Sequence, residues 1–559
     1  MDSDANAHAL EERPVANDSA RGLAYWGPAV AVSLAMFIGV IDSTLMNVAI
    51  PSIVADLDTT VTVVQGAISF YAMVMAALIL PGGKLSSVYG VRRLMTATLL
   101  VYGVGTTLAA LSWNVAVLYV GWSVIEGAAA AVLLPLTFTV LLVSYEGADR
   151  AKALGILAGV NAAGAAFGPL LGGAVTTFAS WRWGFGIEVL IVLVALAFTR
   201  YLPEESLSET PTKLDVGGTL LSVVGTTALV AGVLLAGRYG WISARRPFVV
   251  GDVQLDLFGA SPTVWLVGFG AVVFAGFVQY ERRVERGGGS PLVPVRLLSN
   301  GPFTAGIATN AARSLVLAGF IFVVPVFLQS GAGYTAFETG VAMLPFSVAT
   351  FVASIFTTGW RRFVAPKLLI QGGTVLMGLG VLALVSQTAL DATVAQLAVP
   401  MALVGLGLGL GLVMAQLIDM TLSAVDQQDS AAASGLLNAT MMLGYSFGTA
   451  IVGTYLLRRF YGGVVDGVLT AANAGVSASE RGALVIALED AAETATKETQ
   501  RAVLDGLAPA QRELLADVFD AAIVQAQRET LLLLALFVLL VLFVSALLPG
   551  DETDSGPQA

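Results

Sequence analysis

The chain has 559 residues, of which 56% are hydrophobic and only 12% charged, with a formal net charge of −11. Soluble domains carry roughly 25% charged residues, so a soluble composition is excluded. There is no cysteine, and the single histidine is His8, which excludes disulfides, thiol chemistry, cysteine-ligated metals and a histidine relay inside a membrane.

Residues 1–25 form a polar, acidic tail that lacks the basic start and apolar centre of a cleavable signal. Crossing a bilayer core roughly 30 Å thick takes about 20 apolar residues in a helix. Such runs recur near 26–50, 62–82, 94–112, 115–144, 151–176, 184–200, 216–236, 263–280, 303–328, 338–358, 368–387, 396–417, 431–457 and 530–548, giving about fourteen spans. Lys and Arg decide orientation. With the N-terminus in the cytoplasm, the inner side holds Arg13, Arg21, Lys84, Arg92, Arg93, Arg150, Lys152, Lys213, Arg361, Arg362 and Lys367, whereas the short outer loops hold Arg182, Arg238, Arg245 and Arg246. An even count keeps the tail 549–559 inside as well.

Two outer loops are long. In 237–262 the alternation of "VVGDVQLDLFGA" predicts a short hairpin. The segment 458–529 carries apolar residues at helical spacing among mixed charges, which predicts a helical hairpin over the outer face. The acid excess fits a salt-adapted prokaryote or, equally, drift in a GC-rich genome.

Asp42, Glu126, Glu188 and Arg313 stand well inside predicted spans. A charge at mid-bilayer costs roughly 3 kcal/mol or more, so each is expected to face a cavity or a partner. Several carboxylates in one confined site resist ionising together. Asp42 is therefore the first candidate proton carrier; its alternatives are capping a neighbouring helix or pairing with Arg313. Glu126 and Glu188 are further coupling candidates, and Arg313 an ion-pair partner or an anion-binding group. Asn47, Asn161, Gln329, Asn438, Tyr445, Phe320 and Phe447 are candidate cavity residues, although an aromatic on a membrane helix is more often plain packing.

Two glycine-rich stretches look mechanical. In "GGKLSSVYGVRRLM", Gly83 and Gly90 allow a tight turn, and Arg92 and Arg93 can engage helix C-termini or acidic groups. In "GVNAAGAAFGPLLGG", Gly164, Gly168, Gly172 and Gly173 extend one small surface and Pro169 can bend the helix. Such a helix suits a close, sliding contact.

On these motifs the chain resembles the fourteen-helix drug:proton antiporter group of the major facilitator superfamily. The group's first-span signature is similar to "IDSTLMNVAIPSI", its antiporter motif to the Gly164–Gly173 run, and its S-W-R-W sequence to "SWRWGFGIEVL". Later stretches such as "GLGLGLGLVMAQL" also fit, and the resemblance covers nearly all of 26–548. It implies an all-α membrane fold of two six-helix bundles, 26–200 and 301–548, with a two-helix insertion in 201–300. The sequence departs from the pattern at Ser87, where the motif has aspartate, at Ser123 and Glu126, where it has arginine and glutamine, and at Glu188, where it has asparagine.

The resulting expectation is a monomeric plasma-membrane exporter of lipophilic cations, exchanging them for protons, or for sodium, by alternating access. It needs no cofactor, metal or nucleic acid. Uptake of a nutrient or organic anion by symport or facilitation is the first alternative. A membrane enzyme or a non-transporting sensor is a rival from another class; without His or Cys in the spans an enzyme lacks the usual catalytic clusters.

Overall fold

The computed structural model describes residues 22–59, 61–204, 215–250, 253–255, 258–360, 363–409, 415–426, 429–494 and 505–550. The tails, together with Arg13, Arg21, Lys213, Arg361 and Arg362, lie outside the described residues, as do parts of "GLGLGLGLVMAQL" and of the 458–529 segment.

Long apolar sequence folds into helix because only intra-segment hydrogen bonds satisfy the backbone in lipid. The N-terminal bundle consists of α1 (Leu23–Asp56), α2 (Val61–Tyr89), α3 (Val91–Ala110), α4 (Val115–Ser144), α5 (Gly147–Phe178) and α6 (Arg182–Phe198). The inserted pair is α7 (Val216–Tyr239) and α8 (Pro262–Arg286). The C-terminal bundle contains α9 (Gly301–Ser330), α10 (Ala336–Trp360), α11 (Pro366–Gln387), α12 (Val394–Gly407), α13 (Ala415–Leu422) and α14 (Ser430–Ala471). Two more helices follow, α15 (Ala478–Thr494) and α16 (Pro509–Ser545). Among the described residues, eleven helices are long and apolar enough to cross a membrane. With α3, α5 and the α12–α13 pair, the arrangement is consistent with fourteen spans.

The helix ends separate into a basic end, which carries Lys84, Arg92, Arg150 and Lys367, and a far end. At the basic end α2 passes into α3 through Gly90 alone, at φ +79°, a backbone region that favours glycine. Arg92 there is ion-paired with Glu204, just beyond α6. Lys367 donates to the carbonyls of Ala546 and Leu548, which ties the end of α16 to the same side.

At the far end, Trp181 Nε1 donates to Asp56 Oδ2 at 3.1 Å, Arg182 is paired with the same carboxylate, and Arg182 Nη2 reaches Ser112 O at 2.7 Å. The "SWRW" stretch thus ties the far ends of α1, α3 and α6 together. The short hairpin forms as Phe248–Val250 against Val253–Leu255. Beside it, Arg246 is held by Glu489 at 2.9 Å and Asp490 at 2.7 Å, both on α15. The segment 458–529 is not a separate hairpin. Its first part continues α14 without a break, its last part opens α16, and α15 stands between them.

Each bundle has its own apolar core. The first core also takes in Phe277 of α8, Phe303 of α9 and Leu437 of α14, so both halves and the insertion share packing.

Candidate functional site

Asp42 lies in the middle of α1, Glu126 on α4 and Glu188 on α6. All three are fully buried, and one carboxylate oxygen from each lies within 4.8 Å of the other two. Close helix approach makes this convergence possible. A Cβ on Gly105 of α3 would stand 2.7 Å from Glu126 N, and one on Gly121 of α4 would stand 2.7 Å from Leu108 Cβ. Gly184 of α6 leaves room for Leu45 of α1 in the same way. Glu126 closes a π-helical stretch, Tyr119–Glu126, and the wider turn re-aims side chains at its end.

Few donors serve these carboxylates. Trp122 Nε1 donates to Asp42 Oδ1 at 2.7 Å, and Thr106 Oγ1 to Glu188 Oε2 at 3.1 Å. Asp42 Oδ2, Glu188 Oε1 and both Glu126 oxygens have no hydrogen-bond partner among the described residues. The Tyr71 ring stacks on Trp122 at 4.8 Å and 9°. The hydroxyls of Tyr71 and Tyr102 lie in the field of the cluster. No described Lys or Arg is ion-paired with any of the three acids. Three negative charges together, dry and unneutralised, would cost many kcal/mol, since even one buried ion costs several.

Arg313 is not part of this cluster. It is buried on α9 in the other bundle, where Nη2 donates to Asn310 Oδ1 at 2.9 Å and Ser314 Oγ at 3.3 Å. Among the described residues it forms no ion pair, so Asp42 is held by Trp122 rather than by Arg313. Asn438 is buried on α14 and donates to Ser434 O of its own helix. Phe320 packs on Phe346 at 5.1 Å, inside the C-terminal core. Asn161, Gln329, Tyr445 and Phe447 are half-buried. The side chains of Asn47 and Pro169 lie outside the described residues.

The glycine run of α5 serves two neighbours. Cβ atoms on Gly164 and Gly172 would meet Val40 Cβ at 3.0 Å and Leu45 Cα at 3.1 Å, both on α1. A Cβ on Gly173 would stand 2.6 Å from Ala336 O, on α10 of the other half. Gly168 is buried between them. Near the basic end, an apolar cavity of about 320 Å³ lies between α1 and α5, lined by Trp26, Ser33, Leu34 and Phe37 and by Ile156 and Val160. Gly83 sits against Gly435 of α14, while Arg93 is exposed. Sequence reasoning missed Trp122 and Thr106. Trp122 stands one helical turn before Glu126, a spacing that could have marked it.

The sequence profile of the Major Facilitator Superfamily matches residues 32–449. The chain is 31% identical to the cephamycin export protein CmcT of Amycolatopsis lactamdurans over 435 residues, 76% of this chain and 83% of the relative. It is 29% identical to the multidrug efflux pump LfrA of Mycolicibacterium smegmatis over 492 residues, 87% of this chain and 92% of that one. The probable actinorhodin transporter of Streptomyces coelicolor is 29% identical over 440 residues, 77% of this chain and 72% of that protein. Among solved structures, the POT family transporter PepTSo superposes with a TM-score of 0.52 over 92% of this chain and 98% of its own, at 14% identity, which speaks for the fold alone. The chain belongs to the Major Facilitator Superfamily, on the side of its drug and antibiotic exporters, and is a membrane transporter rather than an enzyme.

Proposed function

We propose that this protein exports lipophilic, cationic compounds across the plasma membrane in exchange for protons, as a monomer with both termini and the basic end in the cytoplasm. The observation that carries the reading is the buried Asp42–Glu126–Glu188 cluster with its unserved oxygens. A proton entering from outside neutralises it, and a lipophilic cation recruited from inside competes for the same charge. Rocking of the two bundles exposes the cluster to each side in turn. The apolar cavity between α1 and α5 suits the hydrocarbon part of such a cargo. The named relatives, among them a multidrug pump and an antibiotic exporter, support export rather than uptake.

The test uses proteoliposomes with an imposed proton gradient and a lipophilic dye cation. Wild type is expected to move the dye when the gradient is present, and Asp42→Asn to lose at least nine-tenths of that flux. Equal transport by Asp42→Asn would remove Asp42 from coupling and shift the test to Glu126→Gln and Glu188→Gln. Carboxylate oxygens also suit sodium, so a sodium gradient that drives transport at fixed pH would replace the proton in this reading.

A further inference from the structure

A second carboxylate pair lies at the basic end, on the inserted helices. Glu281 of α8 is fully buried, and Asp215 caps the start of α7, accepting from Gly218 N at 2.8 Å. Glu281 Oε1 and Asp215 Oδ2 both lack a hydrogen-bond partner among the described residues. A Cβ on Gly218 would stand 2.1 Å from Glu281 Oε1 and 2.8 Å from Asp215 Oδ2, so both unserved oxygens crowd one spot. Lys84 of α2 lies in electrostatic reach of Glu281, Asp215 and Asp429.

The same side chains pin the strand of chain that leads into the C-terminal bundle. That linker opens with Gly287, Gly288, Gly289 and Ser290, a composition with little stiffness of its own. Lys84 Nζ donates to Ser290 Oγ at 2.9 Å, and Glu281 Oε2 accepts from Val293 N at 3.3 Å. Farther on, Glu285 accepts from Val295 N and from Arg296, and Arg296 reaches Asp429, just before α14, at 2.8 Å. Gly83, next to Lys84, meets Gly435 of α14 across the seam between the halves. One polar chain thus runs from α2 through the insertion to α14, beside that seam.

We propose that Asp215 and Glu281 form a site for which Lys84 and a proton compete, and that this competition latches the basic-end seam. With Lys84 held on Ser290 in the field of the ionised pair, the linker is pinned and the seam stays shut. With a proton shared between the carboxylates, Lys84 is released and the seam opens. The groups facing the pair are Lys84 from α2, itself in reach of Asp429 at the start of α14, and Tyr280 from α8, whose hydroxyl donates to Asp215 Oδ1 at 3.1 Å. Glu285 is occupied by Arg296, and Arg282, Arg283 and Arg286 are exposed. The latch rests on the alternating-access reading for its role in transport, but its existence is testable without transport.

The chain has no cysteine, so Ser434→Cys, fully buried on α14 next to Gly435, supplies a single reporter. Its maleimide labelling is followed in permeabilised vesicles, with rates normalised to denatured protein at each pH. Lys84→Met and Glu281→Gln are each expected to label at least five-fold faster than the parent at pH 8, the double variant no faster than either, and Lys84→Arg at the parent rate. Lowering the pH to 6 should speed the parent but not Glu281→Gln. Parent-rate labelling of both single variants, or effects that multiply in the double variant, would overturn the latch. If Glu281→Gln does not fold, Lys84→Met with the pH series decides alone. An Asp42→Asn background separates the two ideas, because there dye export is expected to fail while the labelling pattern persists.

Discussion

Among the described residues, Asp42 is held by one indole donor, and Trp122 serves no other acceptor. Hydrogen bonds to charged groups contribute about 1.5–3 kcal/mol. Trp122→Phe keeps the ring stacked on Tyr71 but removes the donor. It is expected to slow gradient-driven dye flux about ten-fold at unchanged expression, measured in the same proteoliposomes. Thr106→Val, which removes the Thr106 donor to Glu188, tests whether Glu188 takes part; an unchanged flux would make that carboxylate a bystander. Outside the spans, Tyr145 donates to Tyr25 O at 2.9 Å and accepts from Ala29 N at 3.2 Å, tying the start of α1 to the end of α4. Burial pushes its hydroxyl up to about 12. The stability from keeping it neutral is therefore fully present below pH 10 and lost only as pH rises toward 12. Tyr145→Phe should cost about 1 kcal/mol, by the same amount at pH 6 and pH 8.5 in thermal melts. Asp42, Glu126 and Glu188 were legible in the sequence because charge in an apolar run is expensive. Their meeting point was not, since it depends on how α1, α4 and α6 rotate about their own axes. Glu281 was not legible at all: inside "YERRVER" it reads as one more member of a solvated charged face.

Among the helices, glycine position separates contacts that bear on movement from those that do not. Nothing lies within 4 Å of a Cβ built on Gly155 of α5, whereas Gly173 of the same helix would drive its Cβ into the Ala336 backbone. Gly155→Ala should leave flux unchanged or improve stability slightly, because alanine favours helix by up to about 1 kcal/mol. Gly173→Val should abolish dye transport while shifting the melting temperature far less, since the clash is confined to the contact between halves. A variant with normal flux would mean that the α5–α10 contact does not need to close. The spans themselves were readable to within a few residues because hydropathy and length constrain them strongly. The largest departures are α14 and α16. There the helix continues from apolar into charged sequence without a breaker, so the change in composition marks the edge of the apolar layer and not the end of the element.

At the scale of the molecule, the halves touch at both ends, through Gly173 and Ala336 at the far end and through Gly83 and Gly435 at the basic end. Phe178 and Phe337 extend the far-end contact, with ring centroids 5.8 Å apart. Alternating access requires these contacts to open in turn. Joining Phe178→Cys to Phe337→Cys with a short bismaleimide should stop dye export, with each single variant still active after the same treatment. Export by the cross-linked protein would argue against rocking about this seam. The two-bundle plan was legible from span count and motif resemblance, but the insertion's part in joining the halves was not, because Lys84 and Ser290 are separated by some two hundred residues of chain.

The unbroken run of α14 also has a practical side. At about 1.5 Å per residue, its 42 residues reach roughly twice the thickness of the apolar layer. Braced by α16 and α15, its far part stands out of any detergent belt as a stiff extension of the C-terminal bundle. An antibody fragment raised against its tip would ride with that bundle, marking its tilt in particle images and adding asymmetric mass to a molecule otherwise hidden in lipid.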